Sequence, residues 1–171
     1  MHFEGQQTIN APIQRVWAFL TDPHSVASCT PGFMSMEILS PTHFKSTVGV
    51  GVGAVKAKFT LDVTMEDVQE PNHATAVARG NAGGSAAEVR GGMDLAAESD
   101  TVTNMKWAAD VNVMGTIATV GARLLEGTAH KLTARFFECF KTKLEAPATA
   151  AAAEPTDSAS SASPAPSTET S

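Results

Sequence analysis

GTIATVGARLLEGTAHKLTARFFECFKTKL, residues 115–144, decides the fold. Within it Ile117, Val120, Leu124, Leu132, Phe136 and Phe140 recur at spacings of three, four and eight residues. That places them on one stripe of a helix of about 28 residues, roughly 42 Å long at 1.5 Å per residue. A helix that long, following a run of strands, needs a wide curved sheet to bury its stripe. Such an arrangement leaves an apolar hollow between helix and sheet, so the chain reads as a holder of a hydrophobic molecule.

The strands lie upstream. His2 to Ile9 alternates Phe3, Gly5, Gln7 and Ile9 and predicts a first strand. Asn10 is expected to cap a short helix with Pro12 in its first turn, where a missing N–H does no harm. Val16, Trp17, Phe19 and Leu20 supply that helix's buried face. Asp22-Pro23 reads as a second cap, opening a helix to about Ser28, and Cys29-Thr30-Pro31-Gly32-Phe33 as turn chemistry. In Phe44 to Val52 the even positions are apolar apart from Ser46. In Val55 to Asp67 the odd positions are apolar while Lys56, Lys58, Thr60, Asp62 and Glu66 face away. Period two of this kind marks antiparallel strands with one buried face. Further strands are predicted over Ala74–Gly80 and Ala87–Ala97, and a last one carries Met105, Trp107, Ala109, Val111 and Val113. The expected fold is α+β: a curved antiparallel sheet of about six to seven strands wrapped around a long C-terminal helix, with two short helices after strand 1.

Composition sets the limits. Residues 1–145 carry every Lys, Arg, His, Met, Phe and Trp, and suit one domain able to bury a substantial core. Residues 146–171 are Ala, Pro, Ser, Thr and three acids, a composition that cannot offset its ordering entropy, so a disordered tail is expected. The formal charge of −6 divides equally between that tail (Glu154, Asp157, Glu169) and the rest, which leaves no basic footprint for nucleic acid. Cys29 and Cys139 are expected as free, mostly buried thiols of a reducing cytosol. No apolar run suits a membrane span, and the first residues have neither a basic region nor an apolar one of the kind that directs export.

INAPIQRVWAFLTDP, CTPGF, GAVKAKFTL, GNAGGSAAEVRGG and NVMGTIATVGARLLEGTAHKLTARFFECF together resemble the CoxG family of carbon monoxide dehydrogenase accessory proteins, within the larger group of Bet v 1-like and START-like (SRPBCC) helix-grip domains. The similarity covers about residues 1–145. It implies a sheet gripping a C-terminal helix around an apolar cavity. It also implies service to a molybdenum-containing CO dehydrogenase or related hydroxylase, in an accessory rather than a catalytic role, with a link to the cytoplasmic membrane.

The candidate ligand-binding residues follow from the inward positions. Phe44, Phe59, Leu61, Val63, Met65, Met93, Met105 and Trp107 are expected on the sheet wall of the cavity, and Val120, Leu124 and Phe136 on the helix wall. The alternative for each is a place in a dry core. Unbranched methionines conform to irregular apolar shapes and suit an adaptable wall. Phe33 and Met34, just past the Pro31-Gly32 turn, are either docked into the core or set as a gate. The Gly-rich stretch 81–92 opens a strand rather than a helix and has no following Gly-Lys-Ser/Thr, so it is no phosphate cradle.

His2, His24, His43, His73 and His130 lack metal-ligand spacing, and no metal is expected. Glu126 and His130 read as a solvated i,i+4 pair. General acid–base work needs titratable groups aimed into the site, and none can be assembled: Arg79 is the one inward candidate. Arg123, Lys131, Arg135, Lys141 and Lys143 read as a solvated helix face or as a docking surface for lipid headgroups or an acidic partner.

A cytoplasmic, non-catalytic carrier is therefore expected, without covalent cofactor, in peripheral contact with the inner face of the cytoplasmic membrane. Its candidate guest is a respiratory quinone such as menaquinone, inferred from the partner enzyme's need to pass electrons to respiration. The alternatives are a helix-grip cyclase or hydrolase acting on a polyketide-like substrate, and a ligand-free adaptor.

Overall fold

The computed structural model describes residues 1–146. The tail read over 146–171 therefore lies, from 147 on, outside the described residues.

Strand β1 (His2–Ile9) is followed by helices α1 (Ile13–Thr21) and α2 (Pro23–Cys29), then β2 (Phe33–Ser40), β3 (His43–Val52), β4 (Val55–Gln69), β5 (His73–Ala82), β6 (Ser85–Ser99) and β7 (Val102–Gly115). A 3₁₀ turn (Thr116–Val120) leads into α3 (Ala122–Glu145). All neighbouring strands are antiparallel, in the order β1-β7-β6-β5-β4-β3-β2. The seven strands form one curved sheet with α3 on its inner face, which is the helix-grip architecture expected.

The alternation that predicted the strands is what aims their side chains. Register pairs Leu61 with Gly80, Val89 with Ala78 and Val111 with Val89, so these share the inner face. The outer face carries cross-strand ion pairs: His43 with Asp62 at 2.7 Å, Arg79 with Glu88 at 2.6 Å, and Arg90 with Glu66 at 3.1 Å. Arg79 is thus an outward residue, because its parity on β5 opposes that of Ala78 and Gly80. Glu126 and His130 do not form the expected pair; the His130 ring instead stands edge-on to Phe3, with centroids 5.3 Å apart.

Two buried clusters hold the layers together. One joins α1, the β6–β7 sheet and the end of α3 through Val16, Trp17, Leu95, Met105, Phe140 and Leu144. The other joins Val52, Phe59 and Ala82 to Ile117 of the 3₁₀ turn. Phe140 and Val16 are fully buried, and each such side chain contributes about 1.5–3 kcal/mol.

Four local expectations are corrected. The terminal helix has 24 residues, about 36 Å, because Gly121 at φ 99° breaks the chain between the 3₁₀ turn and α3. A β-carbon is disfavoured in that region, so glycine makes the break. Asn10 does not cap α1: Pro12 occupies the N-cap position without a side-chain bond, and the Asn10 N–H donates to Glu145 Oε2 at 2.9 Å. Strand β2 begins where only a turn was read; it is an edge strand with mostly exposed residues and two register shifts against β3, so it has no alternation to reveal it. Finally, Cys29 and Cys139 are not free thiols but a disulfide, with Cα atoms 5.5 Å apart across 110 residues of sequence. The fold brings the end of α2 against α3, where Lys143 Nζ also donates to Ser28 Oγ at 2.8 Å. The second expected cap is present: the Asp22 carboxylate accepts from the backbone N–H groups of His24 and Ser25 and from the Ser25 hydroxyl. These bonds, the Ser25 hydroxyl first, hold its pKa below the ordinary carboxylate value.

Candidate functional site

Between α3 and the sheet lie two apolar hollows of about 270 Å³ each. The first sits under the first half of α3. Its sheet wall includes Val50, Phe59, Leu61, Val89 and Val111, and its helix wall Leu125, Ala129 and Leu132. The second sits beside α1 and α2, between Met65, Met93, Met105 and Trp107 of the sheet and Phe136 and Phe137 of the helix.

The two run end to end. Val89 and Gly91 are successive inward positions of β6, as are Val111 and Ala109 of β7, with the first of each pair in one hollow and the second in the other. Successive inward positions are about 6.6 Å apart along a strand. The space exists because the middle of the inner face is small. The inward positions of β5 are Ala74, Ala76, Ala78, Gly80 and Ala82, flanked by Ala87 and Gly91 of β6. No ionisable side chain lines either hollow among the described residues.

The sequence-selected residues divide. Phe59 and Leu61 line the first hollow; Met65, Met93, Met105, Trp107 and Phe136 line the second. Phe44 and Val63 face each other across β3 and β4, half-buried, and line neither. Val120 sits on the 3₁₀ turn and packs on the second buried cluster rather than on the long helix. Leu124 is 49% exposed and does not face the hollow. The break at Gly121 shifts the helical phase, so Leu125, about 100° further round, takes the inward place. Phe33 and Met34 are 37% and 55% exposed at the start of the edge strand, beside the hollow's rim rather than across it. Sequence reasoning missed Leu125, Ala129 and the small inward residues of β5, whose signal was a period-two run of Ala and Gly.

Outside the first hollow, a groove runs between α3 and the β2–β3 edge. It shares Val50, Thr128 and Leu132 with the hollow and is lined by Arg123, Leu124, Lys131 and Arg135. The three cations lie on one i,i+4 row with Gly127 between them, and among the described residues none forms an ion pair. With Leu124 and Met34 exposed beside them, the rim is basic and apolar at once. No group of three metal-ligating side chains occurs among the described residues, and none of the helices there is long and apolar enough to cross a membrane.

The family model of the carbon monoxide dehydrogenase accessory protein CoxG matches residues 5–145. The chain belongs to that family. CoxG proteins are accessory components of carbon monoxide dehydrogenase, and that association comes with membership. Among solved structures, a conserved protein from Geobacillus kaustophilus is 26% identical, with 85% of this chain and 95% of that chain covered and a TM-score of 0.78. A START superfamily protein from Mycobacterium smegmatis is 11% identical over 84% and 97% of the two chains, at a TM-score of 0.66. The ZhuI aromatase/cyclase from Streptomyces sp. R1128 is 16% identical over 85% and 93%, at 0.64. The last two establish the START-like fold. Among curated proteins there is no match. Family and fold together support a ligand-binding accessory role or a cyclase-like one.

Proposed function

We propose that this CoxG-family protein is a carrier that takes a respiratory quinone into the hollows under α3 and links a molybdenum-containing CO dehydrogenase-type enzyme to the cytoplasmic membrane and its electron-transport chain. The observation that carries the reading is the pair of end-to-end apolar hollows. A respiratory quinone has a flat head and a long isoprenoid tail. The aromatic and thioether walls of the second hollow suit the head, and the aliphatic walls of the first suit the tail. Moving such a guest through water costs about 0.8 kcal/mol per exposed methylene, so a carrier must cover it.

The rim supports membrane contact. Arg123, Lys131 and Arg135 stand beside the hollow with exposed Leu124 and Met34. Each basic residue near an anionic leaflet contributes about 1 kcal/mol, enough in sum for reversible docking with the hollow facing the bilayer. A cyclase would need acids, His or Arg inside; the linings offer none among the described residues, and Arg79 is occupied outside by Glu88. Residence at the cytoplasmic face goes with this reading. The Cys29–Cys139 bond bears on it, since disulfides persist mainly in oxidising surroundings, and thiol trapping in the native host decides that point.

Native mass spectrometry of protein purified from its own host, with lipid extraction, tests the carrier. A stoichiometric quinone is expected. Turnover of an added polyketide-like substrate would favour the cyclase, and an empty protein that takes up no quinone from vesicles would refute the carrier.

A further inference from the structure

Trp107 Nε1 is, among the described residues, the buried side-chain polar atom with no hydrogen-bond partner. It belongs to a side chain that lines the second hollow. An indole N–H buried without an acceptor costs about 1–3 kcal/mol, and most proteins avoid it. The fold holds the ring in place at some sacrifice. Gly5 lies opposite Trp107 in register, and a β-carbon there would come within 2.9 Å of Nε1 and Cζ2, so only glycine lets the indole lie over β1. On its other side the ring packs against Phe137, centroids 5.5 Å apart at 35°.

We infer that the Trp107 N–H is the polar anchor of the hollow and selects a flat guest bearing a carbonyl oxygen. This rests on the carrier reading and deepens it. The surrounding walls are aromatic and thioether surface, which binds any ring of suitable size with little discrimination. One donor in such surroundings discriminates strongly between guests, because a ring without an acceptor leaves it unpaired. The chemical class selected is an aromatic or quinonoid ketone rather than a hydrocarbon or an acyl chain. The competing polar group is Gln7, the one amide on the inner face of β1, two residues from Gly5.

Three probes of similar shape test this: 2-methyl-1,4-naphthoquinone, 1-acetonaphthone and 2-methylnaphthalene, titrated into the full chain. The two ketones are expected to bind about fivefold more tightly than the hydrocarbon, in line with one net hydrogen bond. Trp107→Phe should abolish that preference, and Gln7→Leu should keep it. In the unmodified protein the Trp107 indole proton should move downfield with either ketone and stay in place with the hydrocarbon, with the Trp17 signal assigned through Trp17→Phe. This readout needs no variant at Trp107 to fold. A preference that survives in Trp107→Phe, that is lost in Gln7→Leu, or that leaves the indole proton unmoved overturns the inference while quinone carriage stands. Acetonaphthone bound through Trp107 with the naphthoquinone rejected sinks the quinone reading and leaves the anchor. No binding by any probe overturns both.

Discussion

Replacing Ala129 by leucine asks whether the interior is hollow or filled, and the two cases differ in sign. Ala129 lies on the inward row of α3 and lines the first hollow. Leucine adds three methylene-sized groups, worth at most about 2.4 kcal/mol at about 0.8 kcal/mol each. Since Ala129 is itself only half-buried, about 1 kcal/mol is expected, and both residues are strong helix formers. For a domain of this size that raises the Tm of the empty protein by about 2–4 °C. A filled interior would instead be overpacked, at a cost of about 1–3 kcal/mol. The same added groups occupy space that a guest needs, so retention of the naphthoquinone probe should fall about tenfold, equivalent to about 1.4 kcal/mol. Calorimetric scans of both proteins, empty and with the probe, give the two numbers together. Leu124→Ala, outside the hollow, is the control and should leave retention unchanged. A lowered Tm in the empty Ala129→Leu protein refutes the hollow.

Charge reversal of Arg123, Lys131 and Arg135 to Glu removes about 3 kcal/mol of attraction to an anionic surface, so flotation with vesicles rich in anionic lipid should drop about 100-fold; unchanged flotation would place membrane contact elsewhere. Cys29→Ser with Cys139→Ser opens a covalent loop spanning 110 residues and should lower stability by about 2–4 kcal/mol in urea titrations, and reductant should reproduce the loss in the unmodified protein. Asp22→Ala removes the N-cap of α2 and should cost about 1 kcal/mol. Because the folded Asp22 pKa lies below its unfolded value near 3.8, that stabilisation is present above 3.8 and fades as pH falls through the lower folded value; a constant difference between the two proteins down to strong acid would contradict it. His2 works in the opposite sense: its hydrogen bonds to Asp110 and then Glu4 raise its pKa above 6.5, so its contribution is complete below 6.5 and lost as pH rises past the folded value. The Tm gap between the parent and His2→Gln should therefore close on going from acid to mild alkali.

How much of this could be read from the chain depends on what each element does with its side chains. Strands β3, β4, β6 and β7 are legible because one face is buried and the other wet, and the wet face is marked by Lys56, Lys58, Glu88 and Lys106. Strand β2 is not, because FMSMEILS lies at the sheet edge with both faces largely exposed, and nothing forces alternation on it. The disulfide was invisible to spacing, since cysteines 110 residues apart meet only through the tertiary fold. The helix was legible in its existence and misread in its phase. Gly115, Gly121 and Gly127 look alike in sequence, yet the first two have φ of 86° and 99° and break the chain while the third lies inside α3. A continuous helix from Gly115 would carry Leu124 inward; the break hands that place to Leu125.

The candidate site shows a more general asymmetry. A search for large apolar residues at inward positions finds walls, and Phe59, Leu61, Met65, Met93, Met105, Trp107 and Phe136 are walls. Yet large inward residues are equally what a filled core requires, so they cannot separate the two cases. The volume of a hollow is recorded instead by small residues at inward positions that the neighbours do not compensate. Ala76, Ala78 and Gly80 of β5 face Gly91, Val89 and Ala87 of β6, so two adjacent central strands are small together, and α3 lies too far above them for its side chains to fill the space. This gives the lining a direction of response that a core lacks: enlarging a floor residue such as Ala78 to valine should tighten the empty protein while displacing the guest. The same enlargement in the buried cluster around Val16, Trp17 and Phe140 should destabilise the protein whether or not a guest is present.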